Sequence, residues 1–195
     1  MKKRILYTII VACAIVLGGC AMAQFANLRH CTFEMGKITD IKWADINLSN
    51  VNSVADLSVT NMTKALTALK NKDFVVSCTV NVKTKNATDR LARLIGYDYE
   101  LFLEDKLVAT GSSKDTEYVI NPHTTTTIPV PVNIDLVNVI KKKEIGDIIN
   151  CIRNLNDKGT GKDSNVKVKF TPYASTGKKT VPLAPITLKK TISSN

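Results

Sequence analysis

Histidine is nearly missing from this sequence: 195 residues contain two, His30 and His123. Imidazole is the side chain that titrates near neutral pH and the commonest metal ligand, so this scarcity narrows the room for acid–base and metal chemistry. The five cysteines, at 13, 20, 31, 78 and 151, show neither Cys-x-x-Cys nor a mixed Cys/His spacing, which excludes the usual zinc patterns. Aromatics make up 6% of the chain and are not interleaved with its basic residues, and the lysines are scattered, so nothing points to a nucleic-acid partner. No Gly-x-Ser-x-Gly elbow occurs, and Gly111-Ser112-Ser113 lacks the strand-to-helix setting a nucleophile needs. Gly159-Thr160-Gly161-Lys162 falls short of phosphate-loop spacing, and Asp157 and Asp163 lack the pattern of a calcium loop. Asp45, Asp56, Asp89, Asp98 and Asp105 are dispersed, and no catalytic constellation, cofactor motif, internal repeat or low-complexity tract is found.

Long apolar runs are also scarce. The one that stands out, Ile5 to Leu17, is 13 residues, against the roughly 20 that a bilayer-spanning helix needs. It follows basic Lys2-Lys3-Arg4 and ends in Leu17-Gly18-Gly19-Cys20. A basic segment, a short apolar segment and small residues before a cut define a secretory signal. The Leu-Gly-Gly-Cys ending resembles the lipobox of bacterial lipoproteins, in which the cysteine thiol accepts the lipid and cleavage falls just before it. The resemblance implies that residues 1–19 are a cleaved signal and that Cys20 is the lipidation site. Residues 20–30 read as a lipidated tether and 31–195 as one domain. A single acyl chain anchors only marginally and two anchor stably, so the expected protein sits on a membrane surface. Ala21 rather than aspartate after Cys20 favours sorting to the outer membrane, facing the periplasm.

A domain of this length buries about 70% of its unfolded surface and needs no cross-links to hold it together. The net charge is +10, to which the signal contributes Lys2, Lys3 and Arg4. The remaining basic surface suits solubility, anionic lipid or an envelope polymer. Three cysteines stay with the domain. Cys78 falls within an alternating apolar face as a buried small hydrophobe, and one disulfide among Cys31, Cys78 and Cys151 is left open.

Periodicity sets the fold class. Phe74, Val76, Cys78, Val80 and Val82 alternate with polar or smaller residues, a half-buried strand. Tyr97, Tyr99, Leu101 and Leu103 repeat the pattern, Glu104-Asp105-Lys106 reads as a hairpin turn, Leu107-Val108-Ala109 pairs back, and Gly111 reads as a bulge. Tyr118 to Ile120 is a short strand, closed by a turn at Asn121-Pro122. Ile128, Val130, Val132 and Ile134 mark a strand whose other face carries Pro129 and Pro131, which predicts a sheet edge. Cys31 to Leu48 reads as two extended pieces around a turn at Gly36. A helix is predicted over about Thr60–Lys70, capped by Ser58 or Thr60, with Met62, Leu66 and Leu69 inward. Asp89–Leu94 reads as a helical link. A short helix is expected at Leu136, Val139 and Ile140, and an amphipathic one at Ile145, Ile148, Ile149, Ile152 and Leu155. Lys141-Lys142-Lys143 is placed at an exposed helix end. Val166, Val168 and Phe170 form a strand, and Val181, Leu183, Ile186 and Leu188 a last one, broken by Pro182 and Pro185. Together these predict a mainly β, antiparallel immunoglobulin-like or fibronectin III-like sandwich with a few short accessory helices.

Three features between Phe74 and Ile134 resemble the late embryogenesis abundant type 2 family, also called the water stress and hypersensitive response domain. They are an alternating strand ending at Asn86, the segment Tyr97-Asp-Tyr-Glu-Leu-Phe-Leu-Glu-Asp-Lys-Leu-Val-Ala-Thr-Gly111, and the threonine-rich Ile120-Asn-Pro-His-Thr-Thr-Thr-Thr-Ile-Pro-Val-Pro-Val132. Where that family has Asn-Pro-Asn, this chain has Asn86-Ala87-Thr88. The resemblance covers about a third of the chain and, with Cys31–Lys70 and Pro185–Leu188, looks like the lipoprotein branch of the family. It implies a sandwich without catalytic residues.

The function expected from these readings is a membrane-anchored, non-enzymatic module that binds an envelope protein or polymer. The alternative is a pocket in the sandwich for a lipid or other hydrophobic molecule. A hydrolase with an unrecognised site would require a cleft where carboxylates or a Ser/His pair converge. Tyr97, Tyr99, Phe102 and Tyr118 are expected in the core or on the sheet surface, and His30 and His123 in the tether and a solvated turn.

Overall fold

The computed structural model describes residues 26–114, 116–137, 139–140, 144–155, 164–176 and 179–192. The signal, Cys20, Lys141–Lys143, Asp157, Gly159–Lys162 and Asp163 lie outside the described residues. Described strands are β1 (Thr32–Trp43), β2 (Ile46–Asn47), β3 (Val75–Lys85), β4 (Ala92–Leu94), β5 (Gly96–Leu103), β6 (Lys106–Ser113), β7 (Tyr118–Ile120), β8 (Thr125–Asp135), β9 (Ser164–Ser175), β10 (Thr180–Pro182) and β11 (Ile186–Ile192). Two α-helices accompany them, α1 (Val59–Lys70) and α2 (Ile145–Leu155). One sheet runs β2-β1-β3-β8; the other runs β10-β9-β5-β6, with β11 on the remaining half of β9's outer edge. Strands β4 and β7 form a small ladder of their own. Every pairing is antiparallel. The sheets meet where β6 lies against β8 and where β1 lies against β11. This is the antiparallel sandwich that the alternation predicts.

The core follows from that alternation. Val76, Cys78, Val80 and Val82 of β3 face inward beside Ile128, Val130, Val132 and Ile134 of β8. Tyr97, Leu101, Val166, Val168 and Phe170 supply the opposing layer. The rings of Phe33 and Tyr97 lie 5.8 Å and 5.2 Å from that of Phe170, so Phe170 links both sheets. Each fully buried Val, Ile or Leu side chain contributes about 1.5–3 kcal/mol from burial alone. Helix α2 buries Ile145, Ile148, Ile149, Ile152 and Leu155, the stripe expected from sequence. It rests on β9, α1 and the single 3-10 turn Val54–Asp56.

Several local readings are corrected. Gly36 does not turn the chain; β1 runs through it. The register between β1 and β3 slips between Met35 and Ile38 and again between Thr39 and Lys42, one extra β1 residue each time. The Asn81 side chain bridges the first slip by donating to the Lys37 carbonyl at 2.9 Å. The reversal comes at Ala44-Asp45, with φ of 49° and 60°. Glu104-Asp105, at 47° and 61°, makes the same two-residue turn, whose twist suits a hairpin. In α1, with Ser58 Oγ accepting from Asn61 N–H as its cap, the buried residues are Ala65 and Ala68, whereas Leu66 is 55% exposed. Small residues let the helix lie close to its support, which apolar spacing alone does not reveal. The stretch 89–94 is not helical: it bends and then forms β4. In place of the short helix expected at Leu136, Val139 and Ile140, the Val139 and Ile140 N–H groups both donate to the Leu136 carbonyl. Pro182 and Pro185 divide the last strand into β10 and β11, both on β9. The tether reading is too long, because Leu28 is fully buried and the Asn27 side chain donates to the Leu91 carbonyl. Cys31, Cys78 and Cys151 are free thiols.

Candidate functional site

Among the described strands, β8 pairs only with β3, as its prolines predict. Its backbone phase is set by chemistry. Proline has no N–H, so the phase that turns residues 129 and 131 away from β3 costs the ladder nothing. What remains on that outer edge is carbonyl oxygen. Tyr97 Oη donates to the Pro129 carbonyl at 3.3 Å, and Tyr99 Oη to the Pro131 carbonyl at 3.1 Å. Both tyrosines come from the other sheet. Burial pushes the Tyr97 phenol up to about 12 and raises that of Tyr99, so both are donors at neutral pH.

Tyr99 reaches β8 by crossing its own neighbour. It lies opposite Gly111 of β6, where a Cβ would stand 2.6 Å from the Tyr99 hydroxyl and 2.7 Å from its ring. Gly111 is therefore not the bulge expected from sequence. It sits in register and is small because the ring passes over it; the irregularity in β5–β6 lies between Leu101 and Phe102.

The outer edge of β6 is different. Tyr97 lies opposite Pro172 in the β5–β9 ladder, and Pro172 has no N–H to offer. The Pro172 carbonyl instead accepts from Leu183 N–H at 2.8 Å, away from β5. The backbone of Tyr97 therefore faces β6, with Ser113 as its partner, and the same phase carries Tyr99–Gly111 and Leu101–Ala109. Thr110 and Ser112, between those residues, turn their N–H and C=O toward the open side.

The two edges border a cavity of about 490 Å³. One wall is Gly111, Ser112 and Ser113, with Thr116 and Tyr118 beyond; the other is Thr79, Pro129 and Pro131, and Tyr97 and Tyr99 lie between them. The Ser113 and Thr116 hydroxyls are 3.3 Å apart. Among the described residues no charged side chain lines this cavity. A second groove, of about 430 Å³, lies where the described chain begins, between Leu28, Arg29, Cys31 and Phe33 on one side and Leu183 and Ile186 on the other, so its wall is apolar except for Arg29.

Of the titratable residues singled out in the sequence, the described structure brings one pair together, His123 and Asp89. His123 contacts Asp89 at 2.7 Å on an exposed turn. Asp98 accepts from the Tyr173 hydroxyl at 2.6 Å, and Asp105 pairs with Lys167 at 2.9 Å, both on the outer face of the second sheet. The Lys167 hydrogen bond and charge hold the Asp105 carboxyl below its usual range. Asp56 accepts from the N–H groups of Asn52 and Ser53, which lowers its pKa likewise. Among the described residues no group of three or more His, Cys, Asp or Glu is placed to hold a metal. Tyr97 and Tyr99 are core residues as expected, and Phe102 lies on the outer face beneath the Lys167 ammonium, 4.6 Å from the ring centroid. The cavity between the strand edges went unnoticed in the sequence; its signals were the two alternate prolines of β8 and the tyrosines spaced two apart on β5.

No family model matches the chain, and no curated protein does. Among solved structures it is similar to a protein from Archaeoglobus fulgidus at 11% identity, covering 83% of this chain and 98% of that one, with a TM-score of 0.39. A solution structure from Arabidopsis thaliana is similar at 13% identity over 60% of this chain and 68% of that one, TM-score 0.39. A candidate late embryogenesis abundant protein is similar at 12% identity over 94% of this chain and 86% of that one, TM-score 0.42. Overlaps this loose carry no argument about site or activity.

Proposed function

We propose that this chain is a lipid-anchored cell-envelope protein whose sandwich is a non-enzymatic binding module. In this reading residues 1–19 are removed, Cys20 is acylated, and the domain stands on the outer membrane facing the periplasm. The support for the anchor is the sequence Lys2-Lys3-Arg4, the short apolar run and Leu17-Gly18-Gly19-Cys20. The observation that carries the binding reading is the character of the cavity between β6 and β8. It is preformed, falls within the 300–1,000 Å³ typical of ligand pockets, and is lined by hydroxyls, backbone edges and proline rather than by an acid, a base or a metal-ligand set. Nucleophilic hydroxyls are present, but among the described residues no imidazole or carboxylate lines the cavity to activate them.

In-cell photocrosslinking tests this. A photoreactive residue replacing Ser112 or Thr116 in the full-length protein is expected to capture a discrete envelope partner, and one replacing exposed Asp89 is not. Equal, diffuse labelling from all three positions would refute the reading.

One observation favours a second reading: the groove beside Leu28 and Leu183, apolar but for Arg29, suits a lipid or other hydrophobic molecule with a polar end. Mass spectrometry of the purified protein distinguishes it. A stoichiometric co-purifying lipid supports the groove, and a clean protein mass counts against it.

A further inference from the structure

We propose that the cavity between β6 and β8 takes an extended, uncharged peptide segment, which adds as a strand to the free edge of β6. This rests on the binding-module reading and names its partner class. Four observations support it. First, Thr110 and Ser112 direct backbone N–H and C=O to the open side, a repeating donor–acceptor row whose natural complement is another backbone. Second, β6 contains no proline, whereas the facing edge of β8 presents Pro129 and Pro131, which have no N–H. The carbonyls of those prolines are already held by Tyr97 and Tyr99. The two edges therefore do not zip to each other, and β6 keeps its pairing capacity. Third, the lining formed by the described residues carries no charge, so a charged side chain directed inward finds no partner among them. Fourth, Tyr97 and Tyr99 are 2% and 8% exposed as residues, too covered to act as the stacking platform a sugar ring would need. The small residues Gly111, Ser112 and Ser113 leave the edge open to approach.

The test uses the full chain in detergent micelles and a fluorescent hexapeptide, acetyl-Thr-Val-Ser-Val-Thr-Val-amide. Main-chain bonds supply the affinity in strand addition, so a generic β-forming sequence suffices. The expected result is saturable binding, with slowed amide exchange confined to the Thr110–Ser112 edge. The same peptide N-methylated at alternate residues is expected to bind about tenfold more weakly or worse, as is Ser112→Pro, because each removes edge hydrogen bonds. Ser112→Pro leaves the bonds of Gly111 and Ser113 to β5 intact, and an unchanged unfolding midpoint shows that it folds. Thr67→Pro, far from this edge within α1, is no control for binding; Thr60→Ser on the exposed helix face is, and it is expected to bind as the parent does. The proposal is overturned if the peptide shows no saturable binding, if the N-methylated peptide or Ser112→Pro binds as well as the parent pair, or if an N-acetylglucosamine hexamer protects β6 instead. Crosslinking of a partner from position 112 in cells, with the peptide inert, would remove strand addition while leaving the binding module standing.

Discussion

Tyr99 and Pro131 belong to opposite sheets, and the phenol of the first donates to the carbonyl of the second at 3.1 Å. The bond exists because three residues cooperate. Pro131 leaves an outward carbonyl with no N–H beside it, Tyr99 is long enough to reach it, and Gly111 has no Cβ to obstruct the ring. Tyr97 repeats the arrangement one step along at Pro129. These contacts hold the sandwich together at its open side, while among the described strands the outer edge of β6 has no partner.

A double-mutant cycle tests that cooperation. Gly111→Ala is expected to destabilise by about 1–3 kcal/mol, the range for overpacking, and Tyr99→Phe by about 1 kcal/mol through the lost hydrogen bond. In a Tyr99→Ala background the alanine at 111 meets no ring, so its cost should largely vanish. Urea unfolding midpoints check this, and additive costs would contradict it.

Among the described residues Asn86 and Thr84 are the fully buried polar residues of the core, with opposite consequences. The Asn86 amide donates to the carbonyls of Arg90 (2.8 Å) and Ile120 (3.1 Å), and its oxygen accepts from the N–H and hydroxyl of Thr88 (3.0 and 2.8 Å). It joins the end of β3 to β7 and shapes the turn where Asn86-Ala87-Thr88 stands. Thr84 Oγ1 is buried and finds no partner among the described residues. Asn86→Ala should cost about 2–4 kcal/mol, since several buried groups lose their partners. Thr84→Val, of nearly the same shape, should be neutral or stabilising by up to about 1–2 kcal/mol. Thermal and urea melts of both variants check the contrast.

The thiols give a pH dependence. Burial pushes Cys78 up to about 12 and Cys31 to about 11, from 9.0, and raises Cys151 as well. The folded state therefore holds protons that the unfolded chain releases above about pH 9. The stability these groups contribute is complete below that pH and is lost as pH rises toward 11–12. Urea midpoints should fall across that window, and fall less in Cys78→Ala after correction for its lower starting stability. At neutral pH, where the thiolate is scarce, a disulfide reagent should modify Cys78 only as fast as the domain opens.

On α1, Leu66→Ser should change stability by no more than about 0.5 kcal/mol, because Leu66 faces solvent. Ala65→Leu should cost about 1–3 kcal/mol, because Ala65 has no exposed surface and no room to grow. The reverse ranking would restore the helix face expected from apolar spacing.

Legibility in the sequence depended on period. Where one face is apolar over many residues, as in β3, β5, β8 and α2, alternation or helical spacing named the element and its inward side. Pro129 and Pro131 named an edge before any fold was seen. The errors came where burial is decided by space rather than by hydrophobicity. Ala65 and Ala68 take the inward positions in place of Leu66 because the helix sits close, and Gly111 serves a neighbouring ring rather than a bulge. Ala92–Leu94 is too short to show a period and takes its strand form from β7. The cavity itself was not legible, because it arises where edges of two sheets meet, and no single segment records that meeting.

Anchoring through Cys20 is tested by membrane fractionation of the parent and Cys20→Ser proteins with the mass of each N-terminus determined. The parent is expected in the membrane fraction, starting at an acylated Cys20, and Cys20→Ser unprocessed at Gly19 and without added lipid. Cleavage of Cys20→Ser at the same position, with the product still held on the membrane, would contradict the account.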